Sequence, residues 1–160
     1  MMMRFASNLA IIVMVLCANA PAKASEFISR DHLVIDLKYG VEWLRCSVGQ
    51  VWNGEDCIGD IIKLNHDEIA IAIEQANEQL GPTWRLPSKE ELEGLVCESC
   101  ERPKISAKYF PNTSAEPYWT GDSASLAPRH TWSVNFFTGH AYGRFFPYQR
   151  LAVRFVRDRR

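Results

Sequence analysis

The sequence predicts an α+β domain in which two helices pack on an antiparallel, aromatic-rich sheet. Both convincing helix signals lie between Asn65 and Val96, whereas from Tyr109 onward the composition turns to aromatic residues, Gly and Pro with no helical period. Cys46, Cys57, Cys97 and Cys100 form two local pairs, the pattern of a chain stapled by disulfides.

The N-terminus sets the compartment. Met1 to Arg4 is followed by an apolar run, Leu9 to Leu16, and by Ala22-Lys23-Ala24, a small-x-small cleavage signature. Residues 1–24 therefore read as a secretory signal peptide. The run is far shorter than the roughly 18 apolar residues of a membrane span, so the mature chain is expected to carry no integral membrane segment. Export to the periplasm, the cell surface or the medium follows. Cys17 is preceded by Leu16, where a lipid-modification site wants a small residue, and reads as a passenger of the leader. Residues 25–160 suffice for one domain with a real core, divided on sequence into a lead-in over 25–42 and a folded domain over 43–160.

A formal net charge of −1 hides an asymmetry. Ser25 to Pro128 holds nine Lys and Arg against 18 Asp and Glu, while Arg129 to Arg160 holds seven Arg against one acid, Asp158. A basic end on an acidic body serves either internal pairing or a surface that faces a polyanion.

In chain order, Leu33 to Leu37 reads as a short strand, and Val41 to Trp52 as a strand or bent hairpin arm broken at Gly49. Asn53-Gly54 is a strong turn dipeptide, and Cys57 follows it. Three pairings of the four cysteines are open. The local pairs Cys46–Cys57 and Cys97–Cys100 are the expected ones, the first stapling two arms across the turn.

Asn65, with Glu68 three residues on, opens a helix whose apolar positions Ile69, Ile73, Ala76 and Leu80 are spaced 4, 3, 4; Gly81-Pro82 ends it. Ser88 and Glu91 form a second capping box, and the helix they start is expected to run to about Val96. The stretch Thr83 to Leu95, TWRLPSKEELEGL, thus joins an aromatic anchor, a stop at Pro87 and a helix start, and is expected to nucleate the core. Tyr118 to Gly121, His130 to Phe137, His140 to Phe146 and Leu151 to Val156 read as strands. Thr138-Gly139 turns the hairpin between the second and third of these.

Cys97-Glu-Ser-Cys100 also matches the thiol–disulfide oxidoreductase pattern, but its position opposes that role. A reactive thiolate sits at a helix N-terminus, where the dipole lowers its pKa; these cysteines follow a helix's last turn, beside Glu98 and Glu101. A structural disulfide is the expectation.

The order of motifs is informative. Cys46-x-x-Gly49-x-x-Trp52 with Cys57-x-Gly59, Trp84-Arg85-Leu86-Pro87, Phe110-Pro111-Asn112-Thr113, Tyr118-Trp119-Thr120, Trp132-Ser133-Val134-Asn135-Phe136 with Gly139, and Val153-Arg154-Phe155-Val156-Arg157 resemble a bacterial exported family. That family is typified by the C-terminal domain of the Legionella collagen-like adhesin. The resemblance runs from about Trp43 to Arg157 and implies a C-type-lectin-like fold, with two helices on twisted antiparallel strands, serving as an extracellular or periplasmic binding module. The adhesin member is implicated in binding sulfated glycosaminoglycans, and its domain follows a collagen-like region; residues 1–160 contain no Gly-X-Y repeat.

Calcium-dependent lectins use a Glu-Pro-Asn or Gln-Pro-Asp loop and a Trp-Asn-Asp strand. Here Glu116-Pro117 is followed by Tyr118, and Trp132 by Ser133, so no calcium site or other metal is expected. No nucleophile–base pair or carboxylate pair stands out for catalysis. His130 and His140 lie at different distances from the hairpin turn and should not converge on a metal. Related formylglycine-generating enzymes rely on C-terminal cysteines, and there is none after Cys100. The expectation is a non-enzymatic binder without cofactor or nucleic-acid partner. Its candidate surface is Arg129, His130, His140, Tyr142, Arg144, Tyr148 and Arg150, where arginine forks suit anionic groups and tyrosine faces suit sugars or peptide side chains. The expected partner is an acidic glycan, an envelope polymer or a protein of the cell envelope.

Overall fold

The computed structural model describes residues 26–159; the signal peptide read over 1–24 lies outside them. Three strands open the domain: β1 (Phe27–Arg30), β2 (Leu33–Asp36) and β3 (Val41–Leu44). Asp31 takes φ 51° to turn β1 into β2. The buried Asp36 carboxylate accepts the Lys38 and Tyr39 amides at 3.0 and 3.2 Å, forming an Asx turn that leads into β3, and also accepts Trp43 Nε1 at 3.3 Å. The stretch read as a lead-in therefore supplies two strands and buries Leu33, Val34 and Ile35. The final strand, β9 (Val156–Asp158), pairs antiparallel with the other edge of β3, so both ends of the domain meet in one sheet ordered β1-β2-β3-β9.

A small hairpin follows β3. Its arms, β4 (Val51–Trp52) and β5 (Cys57–Ile58), flank the Asn53-Gly54 turn, where Asn53 Oδ1 accepts the Glu55 and Asp56 amides. Cys46 and Cys57 lie at disulfide distance, as do Cys97 and Cys100.

Helix α1 (His66–Leu80) starts at Asn65 with a complete capping box and buries Ile69 and Ala76. Ile73 is half-buried and Leu80 exposed, so the apolar stripe fades toward its C-terminal end. Helix α2 (Lys89–Glu93) starts at Ser88 with a second capping box. It is shorter than expected. The α-helix stops at Gly94, and i→i+3 bonds from the Leu95 and Val96 amides carry the chain on in a tighter turn. Gly94 lies against the Tyr39 ring, where a Cβ would fall 2.3 Å from a ring carbon.

The second sheet is a meander of β6 (Pro117–Ala124), β7 (Ala127–Asn135) and β8 (His140–Phe145), with β8 at its edge. Because β7 is central, even the polar Thr131 and Ser133 are buried, while Trp132 is only half-buried. Between β8 and β9 the chain is buried continuously from Leu151 to Val156. A parallel Tyr118↔Ala152 contact joins it to β6, and Leu64↔Leu151 and Arg85↔Val156 tie it to the segments before α1 and α2.

Thr83 to Leu95 contributes Trp84, Leu92 and Leu95 to the core. Trp84 lies under the Arg157 guanidinium at 4.4 Å, while Leu92 and Leu95 join the cluster around Trp43, Phe110, Tyr118 and Phe136. Arg85 forks onto Glu91 at 2.8 and 2.9 Å and reaches Asp158 at 2.6 Å, tying α2 to the last strand.

Candidate binding site

The β7–β8 hairpin and the loop after it carry the seven residues selected from sequence, and the structure divides them. Asn135 pairs with His140 and Thr131 with Phe145, so His130 and His140 stand at opposite ends of the hairpin. His140 is exposed beside the turn. His130 is half-buried, its ring 4.3 Å from that of Phe146, with Nδ1 buried and without a hydrogen-bond partner among the described residues. Phe146 in turn stacks on Tyr148 at 5.4 Å with ring planes 10° apart, and Tyr148 is 73% exposed. His130, Phe146 and Tyr148 thereby form an aromatic shelf. Phe146 was not singled out from sequence because its apolar character reads as core.

Arg129 and Arg144 are exposed, and neither has an ion-pair partner among the described residues. Arg144 lies over the Tyr142 ring at 4.5 Å, and the Tyr142 hydroxyl donates to Thr138 Oγ1 at 3.2 Å. Arg150 belongs to a different arrangement. Its Nε donates to Glu68 Oε2 at 3.0 Å, and a second nitrogen of the fork meets Oε1. Glu68 also accepts the Asn65 amide at 3.0 Å as part of the α1 cap. The Asn65 amide first, and then Arg150, hold the Glu68 carboxyl below its ordinary range. Arg150 docks the loop on α1 and is already engaged.

The basic C-terminal part thus divides between paired and exposed arginines. Arg150 and Arg157 pair with Glu68 and Glu42, while Arg129 and Arg144 face solvent without a carboxylate. Arg154 is fully buried, with no carboxylate at ion-pair distance among the described residues.

A second concavity was not visible in the sequence. A cleft of about 730 Å³ opens between α1 and the β4–β5 hairpin, floored by Leu44, Cys46 and Phe155. Gly49 shapes it, with φ +95° and a Cβ position 2.4 Å from the Asp60 carbonyl oxygen, so that only Gly fits there. The helix wall is Ala72, Gln75, Ala76 and Gln79, residues that share one face of α1. Elsewhere, among the described residues, no three His, Cys, Asp or Glu side chains are grouped to hold a metal ion.

The order of these features, from the Gly49 loop through Trp84-Arg85-Leu86-Pro87 to the buried final segment, matches the Lcl C-terminal domain family over residues 32–157. The chain belongs to that family. No curated protein and no solved structure shows a significant match. The Lcl C-terminal domain region begins just before β2 and ends within β9, so it leaves out β1 but takes in the other strands of the first sheet, the second sheet, both helices and both cysteine pairs.

Proposed function

We propose that this chain is an exported, non-enzymatic binding module with a C-type-lectin-like fold. It recognises an acidic glycan or envelope polymer through Arg129, Arg144, Tyr142 and the His130–Phe146–Tyr148 shelf. The observation that carries this reading is the pair of exposed arginines without a carboxylate partner among the described residues, on the same hairpin and following loop as an exposed tyrosine stacked on a second ring. Guanidinium forks bind sulfate and carboxylate groups bidentately, and a ring held by stacking loses little freedom when a sugar packs on it. Family membership supports the binding role, and the leader over residues 1–24 supports export. The test is chromatography on immobilised heparin across a salt gradient. Wild type is expected to elute above physiological salt and Arg129→Ser/Arg144→Ser well below it. Arg150→Ser should elute near wild type because its fork is occupied. Flow-through of the wild type overturns the polyanion reading.

One observation favours the accessory or structural subunit of an envelope assembly as the second reading. β8 is an edge strand, and an unpaired edge can accept a strand from a partner. Flow-through on heparin, combined with recovery of a defined envelope complex, supports that role.

A further inference from the structure

The cleft between α1 and the β4–β5 hairpin differs in character from the basic hairpin surface. Its volume of about 730 Å³ falls within the range of small-ligand sites. No Lys or Arg lines it; its one formal charge is Asp31, whose Oδ2 lies 3.0 Å from the His32 ring. A polyanion has nothing to pair with there.

What the cleft offers is a fixed aromatic ring and free amides. Trp52 Nε1 donates to Asp31 Oδ1 at 3.2 Å, and the Arg45 guanidinium lies 4.3 Å from the centre of the indole. Arg45 is itself only 7% exposed, so the cation beneath the ring is anchored in the fold. A ring pinned at its nitrogen and by a cation loses little side-chain entropy on binding. Across the cleft, Gln75 and Gln79 stand one helical turn apart, exposed, and neither carboxamide has a hydrogen-bond partner among the described residues. Each carboxamide can donate twice and accept. Between them Ala76, with Ala72 one turn earlier, keeps the wall low.

An indole backed by Arg45, two carboxamides and a lining without Lys or Arg match a ligand with an apolar ring face and hydroxyl groups that both donate and accept. We propose that this cleft binds a short, uncharged saccharide, in a second site independent of the basic surface. A peptide strand is the poorer fit, because β4 offers only two residues of edge.

The test is binding of the purified protein to an array that carries uncharged gluco-, galacto-, manno- and N-acetylhexosamine oligosaccharides beside sulfated ones. Wild type is expected to hold at least one uncharged glycan. Trp52→Ala and Gln75→Ala/Gln79→Ala should each weaken it about tenfold or more, whereas Arg129→Ser/Arg144→Ser should leave it unchanged. The glutamines are exposed, so their double variant carries the test even where loss of Trp52 disturbs Arg45. Binding of sulfated glycans alone, or uncharged binding untouched by both cleft variants, overturns the inference. The first of these outcomes leaves the basic-surface reading intact.

Discussion

The guanidinium of Arg154 rests 4.9 Å from the centre of the Phe110 ring, sealed in the interior where no solvent reaches it. One terminal nitrogen donates to the Leu44 carbonyl at 3.1 Å and to the Arg45 carbonyl; the other reaches Ser47 Oγ at 3.1 Å and Thr113 Oγ1 at 2.8 Å. Burial pushes its pKa down to about 10, so it stays charged at neutral pH. Four neutral acceptors take the place of a carboxylate. They come from the end of β3, from the loop before the hairpin and from the Phe110–Thr113 turn, and Arg154 joins all three.

Replacing Arg154 by Met should therefore destabilise the domain by about 3 kcal/mol, because buried acceptors lose their donor. Arg154→Lys should recover little, since one ammonium cannot span the same acceptors. Urea denaturation decides the matter. A Met variant as stable as wild type shows that the burial penalty cancels the hydrogen bonds.

Much of this architecture was legible because its signals are local. The capping boxes at Asn65 and Ser88, the Asn53-Gly54 turn and the cysteine pairs each declare themselves within a dozen residues. The β1 strand did not. Phe27–Arg30 is short and mostly exposed, and it is a strand because β2 presents a free edge after the Asp31 turn. The end of α2 was misplaced because Leu95 and Val96 keep a helical spacing that a tighter turn satisfies equally well.

The site was legible only in part for the same reason. Arg150 and Glu68 are 82 positions apart, so nothing local separates this engaged arginine from the free Arg129 and Arg144. The cleft is walled by alanines and glutamines on α1 that read as ordinary helix surface. Its indole is fixed by Arg45 and Asp31, whose pairing with Trp52 exists only after the first sheet has formed.

The two cysteine pairs should differ in weight. By chain entropy, the bond across the 11-residue separation of Cys46 and Cys57 contributes about 3 kcal/mol, and the Cys97–Cys100 ring about 2 kcal/mol. The smaller loop has further support, since Lys104 Nζ donates to the Glu98 and Cys100 carbonyls at 3.0 and 2.7 Å. Cys97→Ala/Cys100→Ala should consequently lower the urea midpoint less than Cys46→Ala/Cys57→Ala. The larger loop also carries Gln50 to Asn53, so its loss should open the cleft. The reverse order of midpoints would assign the 97–100 ring a role beyond its own loop.

Acid sensitivity should trace in part to His66, the first residue of α1. Its ring meets Trp119 edge-on at 4.8 Å, and its Nε2 is buried with no hydrogen-bond partner among the described residues. Burial lowers its pKa below the ordinary value, against a smaller opposing effect of Asp67. On acidification the unfolded chain therefore takes up this proton before the folded one does. Its contribution to stability is complete above the ordinary His range near pH 6.5. It declines below that pH until the folded-state value is passed. Urea midpoints measured from pH 7.5 to 5 should fall for wild type and fall less for His66→Phe, which keeps an aromatic ring against Trp119 without a titrating nitrogen. Parallel curves for the two proteins would assign the acid loss to other groups.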